Sequence, residues 1–199
     1  MRAMRLFGIA IDDVRDFFGA PPDVAEALTA LYAKHYPAPP AKRRWGLFRR
    51  DPSLEVDPSR PLPRDVETLL TGGFVEQDRL EQCWELLLMW LEERSATHAV
   101  VEYRRLDSIE FDLARRGLSS SLSISRLRER NLGIPLAPLS GMRTGYNRHA
   151  HAKAMWATLR EIDLSTVDDA TRAIVPGLLA FLDDLPEGAD VVVVDRDTD

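Results

Sequence analysis

The sequence has one cysteine, three lysines and no long apolar run, and each shortage excludes something. With Cys83 alone, an internal disulfide is impossible. The longest uninterrupted apolar stretch, residues 86–91, is far short of the roughly 20 residues a membrane span needs. The opening "MRAMRLFGIAIDD" has too short an apolar core for a signal peptide, and acids follow it directly. A cytoplasmic chain with no membrane association is therefore expected. Arginine outnumbers lysine 23 to 3, as a GC-rich coding genome would produce, so abundant arginine alone does not imply phosphate recognition.

What is present is an ordinary globular composition, 45% hydrophobic and 29% charged over 199 residues. That length can bury a core without covalent staples. The net charge of -6 is unevenly spread: residues 161–199 sum to -9 and residues 1–160 to +3. An acidic chain disfavours general nucleic-acid binding, whose affinity comes largely from neutralised phosphates.

Apolar periodicity predicts a strand over 5–11, a short helix over 12–19, and a second helix capped by Asp23 and ended by Pro37. Residues 64–73 read as a short helix closed by glycines, and residues 79–94 as the most apolar helix of the chain. Alternation of Ala99, Val101 and Tyr103 favours a strand over 98–104. Helices are expected over 107–117, capped by Asp107, and over 122–131. Residues 133–147 read as a loop and 148–164 as a helix. A last helical stretch starts at Thr166 and breaks or kinks at Pro176. "DVVVVD" (190–195) is a buried strand. The predicted fold is α/β or α+β: a predominantly helical single domain over 1–199, with a small sheet formed by the N- and C-terminal strands.

"LLTGG" (69–73), "CWELLLMWL" (83–91), and "LGIPLAP" (132–138) with "TGY" (144–146) before an Ala-rich helix are the landmarks of a resemblance. On them the chain resembles a family of small uncharacterised actinobacterial proteins. The resemblance implies no activity and carries over no catalytic residue. The chain departs from that pattern in its basic, proline-rich 37–63 segment, which is longer than usual.

That segment holds seven of the thirteen prolines and shows no period, so it reads as a loop or insertion. In its middle lies "KRRWGLFRR" (42–50), five cations around three large apolar side chains. Trp45, Leu47 and Phe48 can pin the loop to its own core. Equally, Arg43, Arg44, Trp45, Phe48, Arg49 and Arg50 are residue types enriched where proteins dock. Base stacking and insertion at an anionic membrane are further readings. Docking to another protein is the functional reading taken forward.

"SGMRTGYNRHAH" (140–151) is the second candidate. It runs into a predicted helix N-terminus, where free N–H groups and the helix dipole favour anions. Arg143, Thr144, Tyr146, Arg148 and His149 are the candidate anion ligands, with Asn147 beside them. Against this stands an ordinary connection in which Thr144 or Asn147 caps the helix.

Other groups read as structural. His149 and His151 diverge on a helix, at about 100° per residue, so no metal site is expected. Cys83 falls mid-helix on an apolar face. The serines of 119–125 lack a nucleophile turn and an evident base. Of the doublets at Asp12, Asp168 and Asp183, two fall where caps or helix ends are expected, and all three read as solvated. Trp84, Trp90 and Trp156 fit a core. The functional expectation is a protein-binding protein of accessory, regulatory or immunity type, with no cofactor. The alternative is a small-molecule or anion-binding protein, or an enzyme, using 140–151.

Overall fold

The computed structural model describes residues 1–37 and 57–197. Along the chain run β1 (Arg2–Ile9), α1 (Ile11–Asp16), α2 (Pro22–His35), α3 (Pro63–Leu70), α4 (Leu80–Arg94), β2 (Thr97–Tyr103) and α5 (Leu106–Arg115). Then come β3 (Arg143–Asn147), α6 (His149–Leu159), α7 (Asp169–Asp183) and β4 (Asp190–Asp197). The class is α+β. The chain forms two compact units, one of residues 1–15 with 91–199, the other of residues 16–90.

The first unit is built on a four-stranded antiparallel sheet of order β2-β1-β4-β3. As the sequence predicts, the strands from the two chain ends pair with each other, from Arg2 opposite Asp197 to Ile9 opposite Asp190. Val191, Val192, Val193 and Val194 are all buried, so both faces of β4 are covered. That explains a continuous apolar run in place of alternation. On one face Met4, Leu6, Val101, Val191 and Val193 join a core with Ile174, Leu178 and Phe181 of α7, Met155 of α6 and Ile109 of α5.

In the second unit Leu28 and Leu31 of α2, and Val66 and Leu69 of α3, are buried, and α2 packs on α3. The Phe17 ring lies 4.9 Å from that of Trp90. The Ala20 N–H donates to the Leu70 carbonyl at 3.0 Å. Gly72, at φ 64°, supplies the left-handed turn that ends α3.

Several local expectations are corrected. Residues 143–147 are a strand, not a loop. Their sequence hides it, because the position facing the neighbouring chain must be glycine: a Cβ on Gly145 would sit 2.3 Å from the Arg128 carbonyl oxygen. Residues 122–131 form no α-helix but 3-10 turns (Ser120–Leu122, Ile124–Arg128), followed by a bridge from Arg130 to Tyr146. The helix caps also shift. α2 starts at Pro22, before Asp23, and α5 starts at Leu106, before Asp107. Pro176 lies inside an unbroken α7, whose cap is Asp168, accepting from the Thr171 N–H at 2.7 Å. The "KRRWGLFRR" stretch lies outside the described residues.

Candidate functional site

The five candidate anion ligands of 140–151 do not converge. Strand alternation sends Arg143 to the β3 face opposite Asp195, and Thr144 and Tyr146 to the other face. Tyr146 is buried, with the guanidiniums of Arg15 and Arg148 at 5.4 and 5.5 Å from its ring centroid. The start of α6 already holds an anion, the carboxylate of Asp190. It accepts from the His149 N–H at 3.2 Å, from the Ile11 N–H at 3.2 Å and from Arg148 Nη1 at 3.0 Å. His149 Nδ1 lies 3.1 Å from the Ala189 carbonyl, which can only accept, so this nitrogen carries the proton. Asn147 is buried and bridges the Arg126 carbonyl at 2.7 Å and the Arg148 N–H at 2.8 Å. A foreign anion at this helix start has to displace Asp190, buried in the first position of β4.

A second polar cluster closes the other end of the sheet. Asp195 is fully buried. It accepts from Arg2 Nε at 3.1 Å, from the Tyr103 hydroxyl at 2.7 Å and from Arg128. Arg2 also reaches Asp197 at 2.9 Å and the Gly141 carbonyl at 2.8 Å. Burial, then donation to Asp195, holds the Tyr103 phenol above its ordinary range. These bonds serve the fold: the cluster fastens the 3-10 segment and the 141 turn to β1, β2 and β4. Sequence reading missed it because its members lie at positions 2, 103, 128 and 195, with no shared motif.

The cavity in the second unit is different. It encloses about 160 Å³ between α3, the 74–76 linker and the start of α4. Arg64, Asp65 and Thr68 line one side, and Glu76, Arg79 and Cys83 the other. Asp65 and Arg79 form a bidentate pair, Nε to Oδ1 at 3.1 Å and Nη2 to Oδ2, with both side chains buried. The same arginine holds the chain as it returns at 57–61, through the carbonyls of Pro58 and, at 3.0 Å, Arg60. Gln82 adds the Ser59 carbonyl at 3.1 Å. Asp65 also accepts the Leu62 N–H at 2.7 Å, fixing the start of α3. Burial, then the nearby Asp65, pushes the Cys83 thiol up to about 12, so this sulfur is not a thiolate at neutral pH.

Phe74 lines this cavity and is 89% exposed, the most exposed large apolar side chain among the described residues. It follows two glycines, so no helix carries it and no neighbour covers it. In the sequence Phe74 stands just past the glycines that close the 64–73 helix and belongs to no periodic segment.

Among the described residues no group of three or more His, Cys, Asp or Glu could hold a metal ion. No helix of the described residues is long and apolar enough to cross a membrane. No family model, no curated protein and no solved structure matches the chain.

Proposed function

We propose that this protein works by binding another protein, in an accessory, regulatory or immunity-type role, in the cytoplasm. The observation that carries the reading is the exposed Phe74 on the rim of the Arg79 cavity. Aromatic side chains such as phenylalanine are enriched at the cores of protein interfaces, and binding hot spots cluster around small pockets. Arg79 supports the reading a second time, because it also clamps residues 58 and 60, where the chain returns after the 42–50 stretch. Tyr36, at the other end, is held by Glu85 of α4 and by Arg60, 5.3 Å from its ring centroid. Arg43, Arg44, Trp45, Phe48, Arg49 and Arg50 are thus proposed as the basic-aromatic part of the same docking unit. Membership of the small actinobacterial family stays part of this proposal.

The test is retention of proteins from the host's lysate at physiological salt by three chains: intact, Phe74→Ser, and one with 42–50 replaced by a Gly/Ser linker. One protein held by the intact chain and lost by Phe74→Ser, with unchanged melting, supports the reading. If all three chains retain the same proteins, or none, it fails. The rival, an anion-binding protein or enzyme using 140–151, needs Asp190 out of the way. Phosphate compounds that raise the melting temperature of the intact chain, and not of Arg148→Ala, would favour it.

A further inference from the structure

The sheet of the first unit treats its two edges differently. At the β3 edge the chain doubles back. Tyr146 and Arg130 exchange backbone hydrogen bonds at 2.9 and 3.2 Å, and the Arg128 carbonyl presses on Gly145. At the β2 edge no strand pairs among the described residues. The β2 sequence, "THAVVEY", has no proline and no lysine, and its unbroken register with β1 leaves no bulge; its one charged side chain is Glu102, and α7 packs on the strand. His98, Val100 and Glu102 are exposed, Val100 by 57%.

We propose that β2 pairs antiparallel with β2 of a second copy of this chain, about a twofold axis through Val100, joining two sheets into one of eight strands. The strand is self-complementary in this register. A twofold axis perpendicular to the sheet keeps side chains on their own face, so the possible centres are single residues. Centred on Val100, His98 of each copy lies directly opposite Glu102 of the other, Ala99 opposite Val101, and Thr97 opposite Tyr103. Centred on Ala99 or Val101, the exposed valine faces a polar residue and loses its apolar partner. Centred on His98 or Glu102, like groups oppose each other and most of the strand is left unpaired. Only the Val100 register sets an imidazole N–H donor of His98 opposite the Glu102 carboxylate on both sides of an apolar pair, a complementary arrangement for an antiparallel ladder. Because the β3 edge is closed, the pairing ends at a dimer and does not run on into a fibre. A foreign strand would meet the same backbone edge but not this twice-repeated pairing of His98 with Glu102 about an apolar centre, which is why a second copy is the occupant. The proposal concerns the first unit and stands apart from the Phe74 reading.

Sedimentation across about a hundredfold range of concentration tests it on four chains: wild type, His98→Glu, Glu102→Lys, and the double variant. The wild type is expected to dimerise with rising concentration. His98→Glu sets two carboxylates opposite each other at two symmetric places, Glu102→Lys removes the acceptor that faces His98, and each should weaken the dimer roughly tenfold. The double variant restores Glu opposite Lys and should recover it. Val100→Lys, which sets two cations on the axis, should abolish it, with far-UV circular dichroism unchanged. A chain monomeric at every concentration overturns the proposal. So does a dimer that none of the substitutions weakens, and a dimer the double variant fails to restore overturns the register.

Discussion

Cys83 shows how burial decides the chemistry of a single side chain. A thiol titrating near 12 presents about 10⁻⁴ of its population as thiolate at pH 8. Iodoacetamide should therefore label the native chain far more slowly than the unfolded one, and fast native labelling would show the sulfur to be exposed and active. The shift also has a sign for stability. Unfolded, the thiol loses its proton near 8.5; folded, it keeps it to about 12. The native state binds more protons in that window, so stability falls as pH rises through it, and Cys83→Ala should flatten the decline. His151 has the opposite dependence. Burial holds its pKa below the ordinary 6.5, so the native ring stays neutral where the unfolded one is charged. Its contribution is present above about 6.5 and is lost as pH falls below that value. Melting temperatures at pH 7 and 5 should differ less for His151→Gln than for the wild type. Asp65 and Arg79 give the largest single-residue effect. Asp65→Ala leaves a buried guanidinium without its carboxylate and should cost about 3–5 kcal/mol in urea unfolding. Asp65→Leu with Arg79→Met should cost less, because no charge is then stranded.

At the scale of elements, what was legible followed the period of the apolar residues. β1 and β4 show as continuous apolar runs, β2 as an alternation, and α4 as a helix with a broad apolar stripe. β3 was not legible. Its five residues are Arg, Thr, Gly, Tyr and Asn, which carry no apolar alternation, and a glycine in a short segment reads as a turn. Its strand character comes from β4 on one side and Arg130 on the other, and neither neighbour is visible from position 145. Gly145→Ala tests that account. The added methyl meets a backbone oxygen at 2.3 Å and cannot be accommodated by a side-chain rotation. A loss of about 1–3 kcal/mol is expected, and a neutral substitution would mean the 3-10 segment does not press on β3 as described. The candidate site was legible only as composition. The glycines and cations of 140–151 were seen, but not that Asp190, some 40 positions away, fills the helix start they lead into. Phe74 is not legible because one aromatic after two glycines fits no period.

For the whole molecule, charge and topology pull in different directions. β4 is an interior strand paired on both edges, so the acid-rich C-terminal region is tied into the sheet it shares with β1. Its carboxylates are partly consumed there: Asp190 and Asp195 are buried against arginines from earlier in the chain. The net charge of -6 therefore understates how far cation and anion are paired within the fold. The five cations of 42–50 are the largest local excess of positive charge in the sequence. If that stretch bound nucleic acid, neutralising up to five phosphates would give an affinity falling with salt at a log–log slope of about -3.5 to -4.5. If it docks a protein, single- and double-stranded oligonucleotides should show no binding at about 150 mM salt, and Arg43→Glu with Arg44→Glu should change only protein capture. A fluorescence anisotropy titration at low and physiological salt separates the two. Steep salt-dependent binding that the paired substitution abolishes would move the docking reading to nucleic acid. Its absence leaves the apolar members, Trp45, Phe48 and Phe74, as the ones expected to carry the affinity, since exposed charges at the rim of an interface mainly tune the rate of encounter.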